Sequence, residues 1–282
     1  MQRKITTALI IDNYQLNKWQ KSSLLEVHDL IDVKLVLNCN NTKSTKKISK
    51  HLIYYFLNIF TLKNSFTRNI KYRNTNAIWI NFKSIINGNW QTIPSEIIKK
   101  VHSEEIKLII KFGMGLIDIK KTNCDAPILS YHHGDPSKYR GRPPSFYEIF
   151  YKEHNVGTII QKLNNKIDGG EILAISYSKI HHHSYKKTIL NLFNNSKYLL
   201  RTAITNFIDK KSLAISKGGK LYKLPNNFLT LKFIFILFFR KIYRYYYGIF
   251  IEKKWNIIIF DVNKIGGNKI FKNLDNSTQL YS

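Results

Sequence analysis

Two patterns of hydrophobic residues alternate along the first half of the chain. Short apolar runs rich in β-branched residues, which are typical of buried strands, alternate with longer segments in which apolar residues recur at helical spacing. The runs predict strands at residues 5–11, 33–37, 77–82, 106–111 and 126–131. The longer segments predict helices at residues 14–30 and 94–102, and the polar, lysine-rich residues 38–50 predict a loop or the start of a helix. Strands that alternate with helices are typical of a parallel sheet built from βαβ units.

The second half of the chain changes character twice. Residues 149–162 and 172–180 predict two further strands around a glycine pair, and residues 185–207 predict a long amphipathic helix. From residue 221 the composition becomes aromatic and basic. The apolar run at 228–239 is interrupted by Lys232 and is shorter than the roughly 20 residues that cross a bilayer. It is predicted to pack on its own domain, with contact to an anionic membrane surface or a partner domain as the alternative.

These patterns predict an α/β protein in two parts. Residues 1–215 are expected to form a Rossmann-like, mostly parallel sheet with helices on both faces. Residues 216–282 are expected to form a C-terminal helical extension that is aromatic and basic. Within it, residues 252–262 read as a strand that could begin a further domain, and residues 266–282 as loosely ordered. A chain of 282 residues is long enough to bury a full core.

Charge and cysteine content narrow the class of protein only slightly. The formal net charge is +27, but the excess lysine accompanies frequent asparagine and isoleucine along the whole chain, which favours a dispersed basic surface over a nucleic-acid-binding face. Cys39 and Cys124 show no metal-binding or redox spacing and are expected to be free thiols. The N-terminal apolar run is broken by Asp12 and Asn13, so no signal peptide is predicted. A cytoplasmic protein is expected, with the inner face of the membrane as a further option.

Candidate chemistry is concentrated in two short segments. SYHHGDPSKYRG, from Ser130 to Gly141, follows a predicted strand, and IDGGEIL begins at Ile167. In α/β proteins, ligand-binding loops follow the carboxyl ends of the strands. Imidazole titrates near neutrality, and a carboxylate such as Asp168 can fix its tautomer and make it a proton carrier. Taken alone, each segment is more often structural, as a buried histidine or a simple turn.

Taken together, the two segments resemble the formyltransferase family that includes methionyl-tRNA, glycinamide-ribonucleotide and sugar-nucleotide formyltransferases. In that family a histidine at a strand end is followed nine positions later by the glycine of a Tyr/Trp-Arg-Gly element, as His132 is by Gly141 of KYRG. Gly157, Gln161 and the IDGG turn stand where the family has its second element. The resemblance covers residues 106–178, and its spacing selects His132 rather than His133 as the proton carrier.

The resemblance implies roles for individual residues. His132 matches the catalytic histidine and Asp168 the acid that supports it. Ser130 stands where the family has an asparagine that holds the formyl oxygen as it becomes an oxyanion, and a serine hydroxyl donates one hydrogen bond with shorter reach. The segments expected to border a folate pocket are Met114, Gly115, Leu116 and Ile117 and, further on, Asn165, Lys166 and Ile167.

The implied reaction moves a formyl group from 10-formyltetrahydrofolate to a primary amine, which makes the chain a one-carbon transferase. The residues after Asp168 do not read as the β-barrel of the tRNA enzyme, and no glycine-rich phosphate loop follows the first strand. By elimination, an amino sugar or sugar nucleotide is the expected acceptor in polysaccharide biosynthesis. Methionyl-tRNA formylation and a binding domain that has lost catalysis are the alternatives.

A metal site is an alternative use of these histidines. His133 and Asp135 could join His154 or the histidine run at 181–183, but these residues lack a regular ligand spacing. We therefore predict no metal, and a small-molecule amine rather than nucleic acid as the partner.

Overall fold

The computed structural model describes residues 4–41, 49–213 and 218–246, together with the backbone of a strand at 258–260. The strands are β1 Ile5–Asp12, β2 Gln15–Asn17, β3 Ile31–Cys39, β4 Asn69–Lys71, β5 Ile78–Phe82, β6 Ile85–Asn87, β7 Trp90–Thr92, β8 Leu108–Lys111, β9 Leu116–Ile117, β10 Ile128–His132, β11 Tyr139–Gly141, β12 Asn155–Lys162, β13 Glu171–Lys179, β14 Lys220–Tyr222 and β15 Ile258–Phe260. The α-helices are α1 Lys18–Leu25, α2 Leu52–Phe60, α3 Ser95–Ser103, α4 Ile119–Thr122, α5 Phe146–Phe150, α6 Tyr185–Ile208 and α7 Asn227–Tyr246.

The main sheet confirms the predicted α/β class. Strands β5, β3, β1, β8 and β10 lie side by side and parallel, and β12, β13 and β15 continue the sheet in antiparallel order. One row of the register joins Leu35, Ala8, Ile109 and Ile128 across four parallel strands. Parallel strands are covered on both faces, which explains why they appear in the sequence as continuous apolar runs.

Helices cover the two faces of the sheet with separate hydrophobic cores. On one face, Leu9, Ile110 and Leu129 pack with the buried side of α6. On the other face, Ile10, Ile109 and Ile128 pack with Ile97, Ile98 and Val101 of α3. Because side chains alternate along a strand, the residues that follow at even spacing, namely Asp12, Lys111, Ser130 and His132, belong to the α3 face. The carboxyl ends of β1, β8 and β10 therefore bring polar groups together on one side of the sheet.

Two predicted elements are wrong in extent. The helix predicted at 14–30 is replaced by β2 and the short helix α1. The helix begins only at Lys18, because the backbone N–H of Asn17 donates to Gln20 Oε1 at 2.7 Å, and it ends where the chain turns after Leu25. The strand predicted at 149–162 begins at Asn155, because Phe146 and Ile149 are buried in an aromatic cluster as part of helix α5. Helix α2 has no counterpart among the predictions.

The other predicted elements are present in the described residues. The long helix at 185–207 is α6, which Ser184 caps by accepting a hydrogen bond from the Lys187 N–H at 3.2 Å. The aromatic run at 228–239 lies within α7. None of the helices described is both long and apolar enough to cross a membrane. Three predicted segments lie wholly or mostly outside the described residues: the loop at 38–50, the strand at 252–262 apart from β15, and the tail at 266–282. The domain boundary at residue 215 stays a prediction.

Candidate active site

A histidine–aspartate pair lies at the carboxyl end of the parallel strands. His132 is the last residue of β10, and its buried ring places Nδ1 3.3 Å from Asp168 Oδ1. Asp168 belongs to the loop between β12 and β13. The second ring nitrogen, Nε2, lies 3.1 Å from the carbonyl oxygen of Tyr139. Both ring nitrogens therefore face an oxygen atom, and the tautomer that carries its proton on Nδ1 donates to Asp168 and keeps the lone pair of Nε2 for accepting a proton.

Strand β11 explains the nine-residue spacing between the histidine and the glycine. The backbone N–H of Gly141 donates to Asp168 Oδ2 at 2.7 Å, while Tyr139 of the same strand supplies the carbonyl that faces His132. Gly141 has a φ of +88°, and a Cβ there would collide with the carbonyl oxygen of Tyr222. A glycine is thus required at this position by both its dihedral angle and its close contact. The three-residue strand holds both members of the pair in place.

His133 points away from the site. Its ring packs against Trp19 and Phe193, with centroid distances of 5.3 and 4.7 Å, and its Nε2 lies 3.0 Å from Ser196 Oγ. Burial lowers the pKa of His133 to about 3, so this ring is neutral at physiological pH. Of the two adjacent histidines, His132 is the one that lies beside an acid.

Ser130 offers little to a substrate oxygen. Its side chain is buried, and its hydroxyl makes one long contact of 3.4 Å to the carbonyl oxygen of its neighbour Tyr131. The adjacent strand places Lys111 in register with Ser130, at the end of β8. Burial lowers the pKa of Lys111, and the negative charges of Asp12 and Asp168 act in the opposite direction. The side chain of Lys111 therefore lies near Asp168 on the same face as Ser130.

Lys111 is a candidate that the sequence analysis missed. The signal was present, because a lysine that ends the apolar run 108–110 of a strand covered on both faces is unusual. Its neighbours, however, come from β1 and from the loop after β12, which are distant in sequence.

The two segments predicted to border a folate lie next to each other. The N–H of Met114 donates to Asp12 Oδ1 at 2.8 Å, and Gly115 N–H lies 3.3 Å from Gln91 Oε1. Leu116 and Ile117 form β9, which pairs with β7. Asn165 joins the second segment to the first, since its amide nitrogen donates to Asp118 Oδ1 at 3.0 Å. Lys166 and Ile167 follow in the same turn, where the Lys166 N–H donates to Asn164 Oδ1 at 2.8 Å.

A cleft opens beside His132 on the side of β11. The lining residues are His132, His133, Gly134, Tyr139, Arg140, Gly141, Arg142, Pro143, Tyr147, Glu148 and Tyr222. Tyr222 comes from β14, which pairs in parallel with β11, and its ring centroid lies 4.2 Å from that of Tyr147 and 5.4 Å from that of Tyr139. Sequence reasoning named none of these tyrosines as site residues, because the strand that unites them belongs to the C-terminal extension.

Glu148 is an unusual acid in this cleft. It is 3% exposed, and burial raises its pKa to about 8, helped by the nearby negative charges of Glu153 and Asp135. A protonated carboxyl group can donate a hydrogen bond as well as accept one. The cleft thus combines three aromatic rings, the guanidinium of Arg142 and a carboxyl group that is mostly neutral near pH 7.

No metal centre accompanies these groups in the part of the chain that the structure describes. There, no three histidine, cysteine, aspartate or glutamate side chains are arranged so that they could hold an ion.

Comparisons with known proteins give the fold. No protein-family model matches the chain, and no curated protein matches it in sequence. Among solved structures, a formyltetrahydrofolate deformylase from Pseudomonas syringae pv. tomato superposes with a TM-score of 0.50 at 9% identity, over 78% of this chain and 67% of that one. The chain has the formyltransferase fold.

Two other solved structures with this fold match at lower scores. HypX from Aquifex aeolicus gives a TM-score of 0.49 at 12% identity over 78% of this chain, and this chain spans only 30% of the HypX chain. A sugar N-formyltransferase from a Shewanella species gives 0.46 at 13% identity, over 77% of this chain and 76% of that one.

Proposed function

We propose that the chain transfers a formyl group from 10-formyltetrahydrofolate to a primary amine. The observation that carries the proposal is the pair of the buried His132 and the partly buried Asp168, 3.3 Å apart, at the carboxyl end of the parallel sheet in a formyltransferase fold. Ligands of open α/β sheets bind at this edge. The deformylase that shares the fold is named for formyltetrahydrofolate, which supports the same formyl donor for this chain.

In the proposed reaction, the nitrogen of the acceptor attacks the formyl carbon and a C–N bond forms. The formyl oxygen becomes an oxyanion, and the attacking nitrogen becomes positively charged and must lose a proton. His132 Nε2 takes that proton, and Asp168 holds the ring and stabilises the imidazolium. The bond between the formyl carbon and N10 of the folate then breaks, and N10 leaves with the proton that His132 carried.

Gly134 leaves room for the acceptor nitrogen at the imidazole. A Cβ on Gly134 would lie 2.7 Å from His132 Nε2, so any larger side chain would occupy the space in which the proton is transferred. An amine in this space would also be close to the Tyr139 carbonyl, which accepts a hydrogen bond from an N–H.

Lys111 is the proposed donor to the oxyanion. Ser130 is short and its hydroxyl faces the backbone, whereas Lys111 lies on the neighbouring strand in register with it and carries a long, flexible ammonium group. A preorganised donor at an oxyanion is typically worth about 100-fold to 1,000-fold in kcat. Lys111 would therefore replace the asparagine that the resemblance leads one to expect at position 130.

We propose an amino sugar or a nucleotide-linked amino sugar as the acceptor, on the basis of the residue types that line the cleft. The lining includes the mutually packed rings of Tyr139, Tyr147 and Tyr222, a residue type that packs on sugar rings, and Arg142, whose planar guanidinium is suited to a phosphate. The neutral carboxyl group of Glu148 can donate to a hydroxyl.

The test is an assay of formyl transfer with defined products. The protein is incubated with 10-formyltetrahydrofolate and, separately, with amino sugars, nucleotide-linked amino sugars and methionyl-tRNA, and both formylated acceptor and free formate are measured. We expect formylated amino sugar, and at least a roughly 100-fold loss of kcat/KM in His132→Gln and Asp168→Asn. A matched control is His102→Gln, since His102 also lies beside an acid, 3.5 Å from Asp125, but at the surface.

If formate is released and no acceptor is formylated, the reaction is hydrolysis rather than transfer. If formyl-methionyl-tRNA is the only product, the acceptor is tRNA rather than an amino sugar. An absence of folate turnover would reject the proposed reaction.

A binding domain without catalysis is the second candidate, and the turned-away hydroxyl of Ser130 favours it. Two substitutions separate the candidates. If Lys111 supplies the oxyanion donor, Lys111→Met lowers kcat by about 100-fold and Ser130→Asn restores part of that loss in the double variant. If the chain only binds, the unaltered protein is inactive and the single variant Ser130→Asn does not change ligand affinity.

A further inference from the structure

Helix α7 has an apolar face on its outer side. Its inner side is formed by Thr230 and Phe233, which are buried, and by Arg240, which donates to the carbonyl oxygen of Ile149 at 2.8 Å. The residues at helical spacing on the opposite side are exposed and apolar, including Phe235 at 60% and Phe239 at 64%. A surface helix ordinarily buries its apolar stripe and shows polar residues to solvent. In α7 the exposed side is apolar as well.

Helix α2 adds to this surface. The two helices are fastened together near their N-termini, where the N–H of Ile53 donates to Asn227 Oδ1 at 3.1 Å and His51 Nδ1 lies 2.7 Å from the carbonyl oxygen of Pro225. Only Tyr54 of α2 is buried, so most of its apolar side chains are also accessible. We call the combined face the α2/α7 apolar surface; its exposed residues are Leu52, Phe56, Ile59, Phe60, Phe228, Leu231, Phe235, Phe238, Phe239 and Ile242.

Together the two helices show an unusually large apolar area to solvent. Its six phenylalanines are between 56% and 77% exposed. At about 200 Å² for a complete phenylalanine, they alone present roughly 750 Å² to solvent. The largest apolar patch of a typical monomer is about 300–600 Å² and is often functional.

The charge around the surface indicates what covers it. No aspartate or glutamate occurs in residues 49–63 or 218–246, whereas Lys232, Lys241 and Arg244 lie on α7 and Lys50 and Lys63 flank α2. Exposed aromatic and aliphatic side chains bordered by basic residues match an anionic lipid surface, in which the rings enter the headgroup region and the basic groups meet phosphates. A protein partner would need an extended acidic rim around an apolar centre.

We propose that the α2/α7 apolar surface binds the surface of a membrane rich in anionic lipid, with α7 lying in the plane of the bilayer. An interfacial position agrees with the absence, among the described helices, of one that could span the membrane. The active-site cleft would then be held close to lipid, independently of which acceptor it uses.

The experiment is co-sedimentation of the full chain with vesicles of phosphatidylcholine alone and of phosphatidylcholine mixed with phosphatidylglycerol. We expect binding to the mixed vesicles that weakens as salt is raised, and little binding to neutral vesicles. The double variant Phe235→Ser with Phe239→Ser should lose at least about tenfold in binding, because the apolar contribution scales with the area that enters the membrane. The matched control is Ile85→Ser with Ile86→Ser, which removes two side chains of similar exposure, 60% and 57%, from strand β6.

Three results would overturn the proposal. One is failure of the unaltered chain to bind mixed vesicles; another is equal loss of binding in the control variant. The third is a dimer in analytical ultracentrifugation that the Phe235→Ser with Phe239→Ser variant converts to a monomer, since a second copy would then cover the surface. Thermal unfolding of each variant shows whether it remains folded.

Discussion

The buried acid Glu148 makes a sharp prediction about stability and pH. In the folded chain its pKa is raised to about 8, chiefly by burial, from an ordinary value of 4.5. Between these two pH values the unfolded chain releases this proton while the folded chain keeps it. The folded chain then binds more protons than the unfolded chain, so the free energy of unfolding falls as pH rises.

The magnitude follows from the two pKa values. Each pH unit between about 4.5 and about 8 costs about 1.4 kcal/mol, so the ionisation of Glu148 removes about 5 kcal/mol from the fold above pH 8. Glu148→Gln keeps the size and polarity of the protonated side chain but cannot ionise. The variant and the unaltered protein should therefore be equally stable near pH 4.5, and the variant should become more stable at higher pH.

Urea unfolding of both proteins at a series of pH values measures this difference directly. The surface variant Glu96→Gln is the control, since Glu96 is exposed at the start of α3 and should give no such trend. If the stability of Glu148→Gln stays parallel to that of the unaltered protein from pH 5 to pH 9, the carboxyl group is ionised in the folded state and the reasoning is refuted.

Two further variants test the residues around the pair. Burial lowers the pKa of His133 from 6.5 to about 3, so the free energy of unfolding falls as the pH drops below 6.5, by about 2 kcal/mol at pH 5. In urea unfolding, His133→Phe should abolish this dependence on pH. Gly141→Ala should lower the free energy of unfolding by about 2 kcal/mol or more, because its positive φ and its contact with the Tyr222 carbonyl both oppose a Cβ. Gly88→Ala is the control, since Gly88 also has a positive φ but has open space around it. An equal loss of stability in both variants would show that the contact with the Tyr222 carbonyl does not contribute.

The sequence predicted the parts of the fold that depend on burial alone. The parallel strands and α6 were found because strands covered on both faces are continuously apolar and because a long helix repeats its buried positions. The helix predicted at 14–30 was wrong in extent because its start is set by a hydrogen bond between Asn17 and Gln20 and its end by the turn into β3. The last two residues of helix α5 were included in the strand predicted at 149–162, because the few apolar residues of this short helix lack a distinctive period.

The site was predicted in part for a similar reason. The spacing between His132 and Gly141 reflects a local strand that touches both members of the pair, so it leaves a mark in the sequence. Lys111 leaves only the mark of a lysine at the end of an apolar strand, and Glu148 leaves none, since the charge and burial that make them unusual come from distant segments. The cleft could not be predicted, because Tyr222 reaches it only through the pairing of β14 with β11.

The pairing of β14 with β11 connects the cleft to His132 and Asp168, because both contact the same strand, β11. β11 is hydrogen-bonded to the catalytic candidates on one side, and on the other Arg142 N–H donates to the Tyr222 carbonyl at 3.2 Å and Arg140 Nε to that of Gly219 at 2.8 Å. A molecule that stacks on Tyr222 therefore restrains the same three residues that hold His132 and Asp168. Occupation of the cleft would therefore be felt at His132 and Asp168 through β11, although no ligand atom need touch either side chain.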